Sequence, residues 1–147
     1  MKWLLVIAVF GLISFGAHYA FAQAAGLKRV VQVSAGRAKF SAEVADTTLA
    51  RAQGLSGHAP LGKDEGMIFI FPRPSSGSFW MYRMLFGLDL VWVYQGKVIG
   101  ITPDVRPMSE TGYRLYSPPA PYDLVFEIPS GSAKRHGVRV GDALSYR

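Results

Sequence analysis

The side chain with most to explain is Asp89, near the head of the run Leu88-Asp89-Leu90-Val91-Trp92-Val93. The rest of that run is suited to burial, and an isolated buried carboxylate costs several kcal/mol. Asp89 must therefore be paired, hydrogen-bonded or placed at the solvent edge. Arg51 and Arg83 are its plausible ionic partners, and an Asp–Arg pair would line a cleft. The other reading is a structural carboxylate that takes backbone N–H groups at a strand entrance. Trp80 and Met81, with Trp92 and Tyr94 on a nearby strand, have the chemistry of an aromatic platform for a sugar ring or another flat apolar face. Strand alternation separates them: Trp92 and Tyr94 share a face with Leu88 and Leu90, which assigns them to the core. Trp80 instead stands beside the Pro74-Ser75-Ser76-Gly77 loop, where an exposed aromatic ring has a functional use.

Glu127 interrupts Leu124-Val125-Phe126-Glu127-Ile128 much as Asp89 interrupts its own run. If two carboxylates met, Asp89 with Glu127 or Glu65, they would supply a general acid and base for a cell-wall or sugar-directed enzyme. The simpler expectation is an outward-facing Glu127 on the solvent side of an antiparallel strand. His58 and His136 lie far apart without a second ligand at helical or strand spacing, so no metal site is expected. The chain has no cysteine, which excludes a cysteine nucleophile, and Ser56-Gly57-His58 is not a nucleophile elbow. Gly54, Gly57 and Gly62 neither follow a strand nor precede a Lys-Ser/Thr pair, so they make no phosphate loop. No catalytic residue and no cofactor is assigned. The ligand-binding candidates are Arg51, Trp80, Met81, Arg83 and Asp89, which suit ring stacking combined with hydrogen bonding.

The frame that would position these side chains is mainly β. Val31 and Val33, then Phe40, Ala42 and Val44, follow the period of half-buried strands. Asp46 or Thr47 can cap a short helix through Leu49, Ala50 and Arg51, closed by Gly54, with Leu55 folding back on Leu49 or Ala50. Met67 to Phe71 reads as a buried strand stopped by Pro72. Phe79 to Tyr82 and Leu88 to Tyr94 are further strands, and Gln95-Gly96 is a tight hairpin turn into Val98 to Ile101. Pro103 to Gly112 breaks the pattern, Tyr113 to Tyr116 resumes it, and Pro118, Pro119 and Pro121 form a stiff connection. Leu124 to Ile128 is a strand, Ser130 to His136 a helical turn or two closed by Gly137, and Val138 to Tyr146 a strand again. Many short strands with one or two short helices predict a compact β-sandwich or partly open β-barrel.

The N-terminus predicts export. Lys2, the apolar run from Trp3 to Ala17 and the small-x-small Ala20-Phe21-Ala22 have the form of a signal peptide over residues 1–22, leaving residues 23–147 as one domain. The rival is an uncleaved anchor, since roughly 20 apolar residues can cross a bilayer. Export to the periplasm or medium, with no cysteine for disulfides, leaves the domain to its hydrophobic core. Without Lys2, 15 basic residues stand against 10 acidic ones, a net charge of +5 with no long basic run. That balance suits loose attraction to anionic surfaces and small anionic ligands. It gives no stripe for nucleic acid. Membrane contact is expected only through the signal segment.

One ordered set of motifs is more specific than any single residue. Arg51-x-x-Gly54-Leu55, Gly66-Met67-x-Phe69-x-Phe71, Phe79-Trp80-Met81, Leu88-Asp89 and Gly137-Val138-x-x-Gly141-Asp142 together resemble the uncharacterised DUF192 family, also called UPF0127. The resemblance spans Phe40 to Tyr146. It implies a compact, mainly β domain, commonly exported, with no agreed biochemical function. Members of that family usually carry a basic residue, Asn and Thr after the Met, and Pro before the Leu-Asp pair. Here those places hold Tyr82, Arg83, Met84 and Gly87, so any family-wide site would be altered in this chain. The expectation is an extracytoplasmic binding or accessory domain for a small polar or anionic envelope molecule, such as a saccharide fragment. The alternatives are the two-carboxylate enzyme and a protein-interaction module that uses an exposed strand edge or the Pro118 to Pro121 loop.

Overall fold

The computed structural model describes residues 28–147, and the expected leader, residues 1–22, lies outside the described residues. The strands are β1 (Val30–Ala35), β2 (Ala38–Ala45), β3 (Glu65–Ser75), β4 (Phe79–Trp80), β5 (Leu88–Tyr94), β6 (Lys97–Val105), β7 (Leu115–Tyr116), β8 (Tyr122–Pro129) and β9 (Leu144–Tyr146). The helices are α1 (Thr48–Gln53), α2 (Met108–Thr111) and α3 (Ser132–His136).

Seven strands form one sheet in the order β6-β5-β8-β3-β2-β1-β9, and β4 and β7 form a small second sheet. Neighbours are antiparallel except β2 and β3. A parallel pair needs a crossover, and α1 with the following loop provides it. The large sheet curls until its two ends meet. Lys97 bridges Ala143, Val98 N–H donates to Asp142 O at 2.9 Å, and Leu144 N–H donates to Gly96 O at 2.8 Å. The result is a curled half-barrel with one small added sheet, the partly open barrel of the two expected architectures.

Both faces of the large sheet are covered. Every one of its strands contributes to the enclosed core, through Val33, Phe40, Ile68, Val91, Val98, Phe126 and Leu144. The outer face of the central strands, with Met67, Phe69, Leu90, Trp92 and Val125, packs under Phe79, Tyr116 and Leu55. This is why β5 and β8 read as nearly continuous apolar runs. Alternation survives only where one face meets water, as in β2.

Several boundaries differ from the sequence reading. Pro72 does not stop β3, which continues to Ser75, because pairing with β8 jumps from Ile70/Leu124 to Ser75/Tyr122. Pro72 and Pro74 fall in the unpaired stretch, where no N–H is required. Likewise β6 runs through Pro103 to Val105, while β4 and β9 are shorter than expected. Among the described residues there are three short helices rather than one or two, α2 being the unexpected one. Thr47 caps α1, its hydroxyl accepting from Ala50 N–H at 3.1 Å, and Leu55 is buried near Ala50. The Gln95-Gly96 turn is as expected, with φ of 48° and 72°.

Candidate functional site

The small sheet carries the most exposed aromatic surface. Phe79 pairs with Tyr116 and Trp80 with Leu115, so period two sends Phe79 and Tyr116 inward and Trp80 and Leu115 outward. Phe79 locks the sheet down by meeting Phe69 and Trp92 edge-on, at 5.3 and 5.5 Å between ring centroids. Trp80 is left 52% exposed. It stacks on Tyr82 at 5.4 Å and 29°, and Tyr113 meets it edge-on at 6.2 Å. Tyr82, Leu85, Tyr113 and Leu115 are also at least half exposed. Scattered apolar residues on a surface are ordinary, but five of the nine large exposed apolar side chains among the described residues lie on this two-stranded sheet and its loops, which makes it the candidate site.

The loop after β4 is held firmly. Met81 and Met84 are buried anchors on either side of Tyr82 and Arg83. Ser56 Oγ donates to Tyr82 O at 2.8 Å, and Gly57 N–H donates to Arg83 O at 3.0 Å. Arg83 has φ of 56°, a backbone state that non-glycine residues adopt rarely. Its exposed guanidinium follows directly on the stacked Tyr82. Exposed aromatic faces with an exposed arginine on the next residue have the chemistry to take a sugar ring, C–H groups meeting the rings and hydroxyl or carboxylate oxygens meeting the guanidinium.

The other candidate residues do not join this face. Arg51 Nη1 donates to Asp46 O and to Ile70 O at 2.6 and 2.8 Å, and its guanidinium lies 5.1 Å from the Phe71 ring centroid. It ties α1 to β3. Met81 is a core anchor. Asp89 has no arginine partner: Oδ1 accepts from the N–H groups of Asp104 and Gly131, each at 3.0 Å, and Oδ2 from Ala133 N–H at 2.9 Å. Asp89 is thus the structural carboxylate of the second reading, on the face of the sheet opposite Trp80. Trp92 is fully buried, its indole N–H donating to Thr102 Oγ1 at 2.9 Å, and Tyr94 is half-buried.

The paired-acid geometry is not met either. Asp89 registers with Ile128 while Leu90 registers with Glu127, so the two carboxylates project from opposite faces. Glu65 shares its face with Met67 on the outer side, away from Asp89, and its Oε2 accepts from Gly62 N–H at 2.8 Å. Glu127 is not outward-facing and solvated, because the small sheet and its loops cover that side of β8. It is 6% exposed between Met67 and Leu90, and burial raises its carboxyl to a pKa of about 8. His58 sits 3.8 Å from Glu43 and His136 3.2 Å from Asp64. Among the described residues no three His, Asp or Glu side chains are grouped to hold a metal.

Tyr82, Tyr113, Leu85 and Leu115 were not singled out by sequence reasoning. Tyr113-x-Leu115 does alternate with the inward Tyr116, which is a readable signal. Its pairing with β4, across more than thirty residues, is not local information.

The chain belongs to the DUF192 family, whose model, described as an uncharacterized ACR, matches residues 30–146. A protein of unknown function from Novosphingobium aromaticivorans has a similar crystal structure, with 31% identity and a TM-score of 0.72 over 80% of this chain and 84% of that one. A putative transcription regulator from Sinorhizobium meliloti is also similar, with 27% identity and a TM-score of 0.72 over 82% of this chain and 94% of that one. No curated protein matches the chain.

Proposed function

We propose that this protein is an extracytoplasmic, non-catalytic binding domain that holds a saccharide fragment of the cell envelope, neutral or anionic, on the Trp80 platform. The observation that carries this reading is the exposed Trp80–Tyr82 stack, with Tyr113 edge-on, above a firmly anchored loop that ends in Arg83. Such a face needs little reorganisation to bind, which favours affinity. The positive net charge favours anionic sugars. Export rests on the N-terminal segment alone, and intact mass of the secreted protein is expected to show Gln23 as the first residue.

Calorimetric titration with N-acetylglucosamine oligomers and with a uronic-acid oligosaccharide tests the binding. Trp80→Ala is expected to weaken it at least about tenfold, with unfolding midpoint unchanged because Trp80 is exposed. Arg83→Ala should weaken the anionic ligand more than the neutral one. No saturable heat, or equal affinity in Trp80→Ala, would sink the proposal. Exposed Leu85 and Leu115 favour a second reading, a protein partner docked on the same face. In that case sugars would fail while Leu115→Asp abolished capture of a partner.

A further inference from the structure

The seam of the curled sheet is closed at one end only. Beyond the contacts of Lys97 and Val98 with Asp142 and Ala143, β6 continues to Val105 with no strand on its outer side among the described residues. The opening is plugged by α3, whose Ala133 enters the enclosed core together with Val138. Between β6 and α3 lies a cavity of about 450 Å³, with Ile101, Pro103, Ala133 and Val138 as an apolar floor and Asp104 and Lys134 among its polar residues. Its size is that of a small-molecule site.

An added strand does not fit there. Pro103 has no N–H to donate, the N–H of Asp104 is taken by Asp89, and Asp104 has φ of 51°. The edge is blocked to pairing, so an occupant must bind through side chains. Asp89 joins both walls of the cavity, since it holds Asp104 on one side and Gly131 and Ala133 on the other. The site is therefore fixed before any ligand arrives.

Of the three charged residues that line the cavity, Asp89 is spent on its three backbone N–H groups, which leaves Asp104 and Lys134 to meet an occupant. Asp104 is bound by Arg106 Nε and Nη2 at 2.9 and 3.0 Å and by Ser130 Oγ at 2.7 Å. Arg106 also faces Glu110 at 3.5 Å, so this trio keeps one negative charge. The Arg106 guanidinium, and then the Ser130 hydroxyl, hold the Asp104 carboxyl below its ordinary range, so it is ionised at neutral pH. Lys134 is exposed and has no ion pair among the described residues. Opposite charges thus line one cavity without joining each other.

We infer that this seam cavity binds a zwitterion with an apolar side chain, an α-amino acid of the phenylalanine or leucine kind. Its ammonium would face Asp104, its carboxylate Lys134, and its side chain would cover Ile101 and Val138. The site is separate from the Trp80 platform, on the other face of the sheet, so either can fail without the other.

The test is titration of the protein with L-phenylalanine, N-acetyl-L-phenylalanine, L-phenylalaninamide and glycine, followed by NMR. Phenylalanine is expected to saturate, with each of the other three at least about tenfold weaker. Lys134→Ala should weaken phenylalanine about tenfold while leaving the amide unchanged. Asp104→Asn, which keeps a residue tolerant of the left-handed backbone, should weaken phenylalanine and leave the N-acetyl compound unchanged. No saturation below about 10 mM, equal binding of the capped compounds, or indifference to both variants would overturn the inference. Tighter binding of decanoate than of phenylalanine would also overturn it, assigning the cavity to a lipid chain.

Discussion

Asp89 fastens together two segments that no ladder joins, the bulge of β6 at Asp104 and the entrance of α3. Three backbone N–H groups depend on one carboxylate. Asp89→Ala is expected to lower the unfolding free energy by roughly 2–3 kcal/mol, since a buried donor left unsatisfied, here Ala133 N–H, costs about 1–3 kcal/mol and the part-buried N–H groups of Asp104 and Gly131 cost less. Urea denaturation measures it, and a loss under about 1 kcal/mol would mean that other acceptors serve those groups. Glu127 is the opposite case, a buried carboxyl whose folded pKa is about 8 against an ordinary 4.5. Between those values the unfolded chain has released its proton and the folded protein keeps it. Stability therefore falls as pH rises from about 4.5 to about 8 and then levels. The whole effect is on the order of 5 kcal/mol. Glu127→Gln should flatten that profile and be more stable than the parent at pH 8 to 9, and an unchanged slope would show that Glu127 is not its source. That Asp89 needed partners was legible from its apolar run. That the partners are N–H groups 15, 42 and 44 positions away was not, because backbone donors leave no signature in residue type.

At the scale of elements, the central strands were legible because burial on both faces makes them continuous apolar runs. The prolines were misleading: Pro72 and Pro103 sit where the ladder skips, and a skipped ladder is a property of the partner strand. Gly66 shows how closely β3 and β8 approach. A Cβ there would lie 2.5 Å from the Phe126 ring and 2.6 Å from Glu127 O. Gly66→Ala is expected to destabilise by about 2–3 kcal/mol through overpacking, read as a lowered thermal midpoint. A midpoint within error of the parent would mean that β8 yields. The platform was half legible. Trp80 stood out beside its loop, but its companions Tyr113 and Leu115 arrive through β7, which pairs with β4 over two residues only.

The whole molecule is a curled sheet with a closed interior, an outer layer that presents Trp80, and a seam plugged by α3. Arg51, Asp89 and Met81 serve the frame, whereas Trp80 and Arg83 face solvent. This division follows from the two faces of the sheet, which a linear sequence does not distinguish when both are apolar. The two described tryptophans report on the two sides of it, Trp80 at the surface and Trp92 buried with its indole N–H on Thr102. The most direct test of the binding account is to follow both indole N–H resonances by ¹H–¹⁵N NMR while adding a N-acetylglucosamine oligomer or uronic-acid oligosaccharide. The account predicts a saturable shift of the Trp80 indole with Trp92 unmoved. Movement of neither indole, or of Trp92 without Trp80, would contradict it.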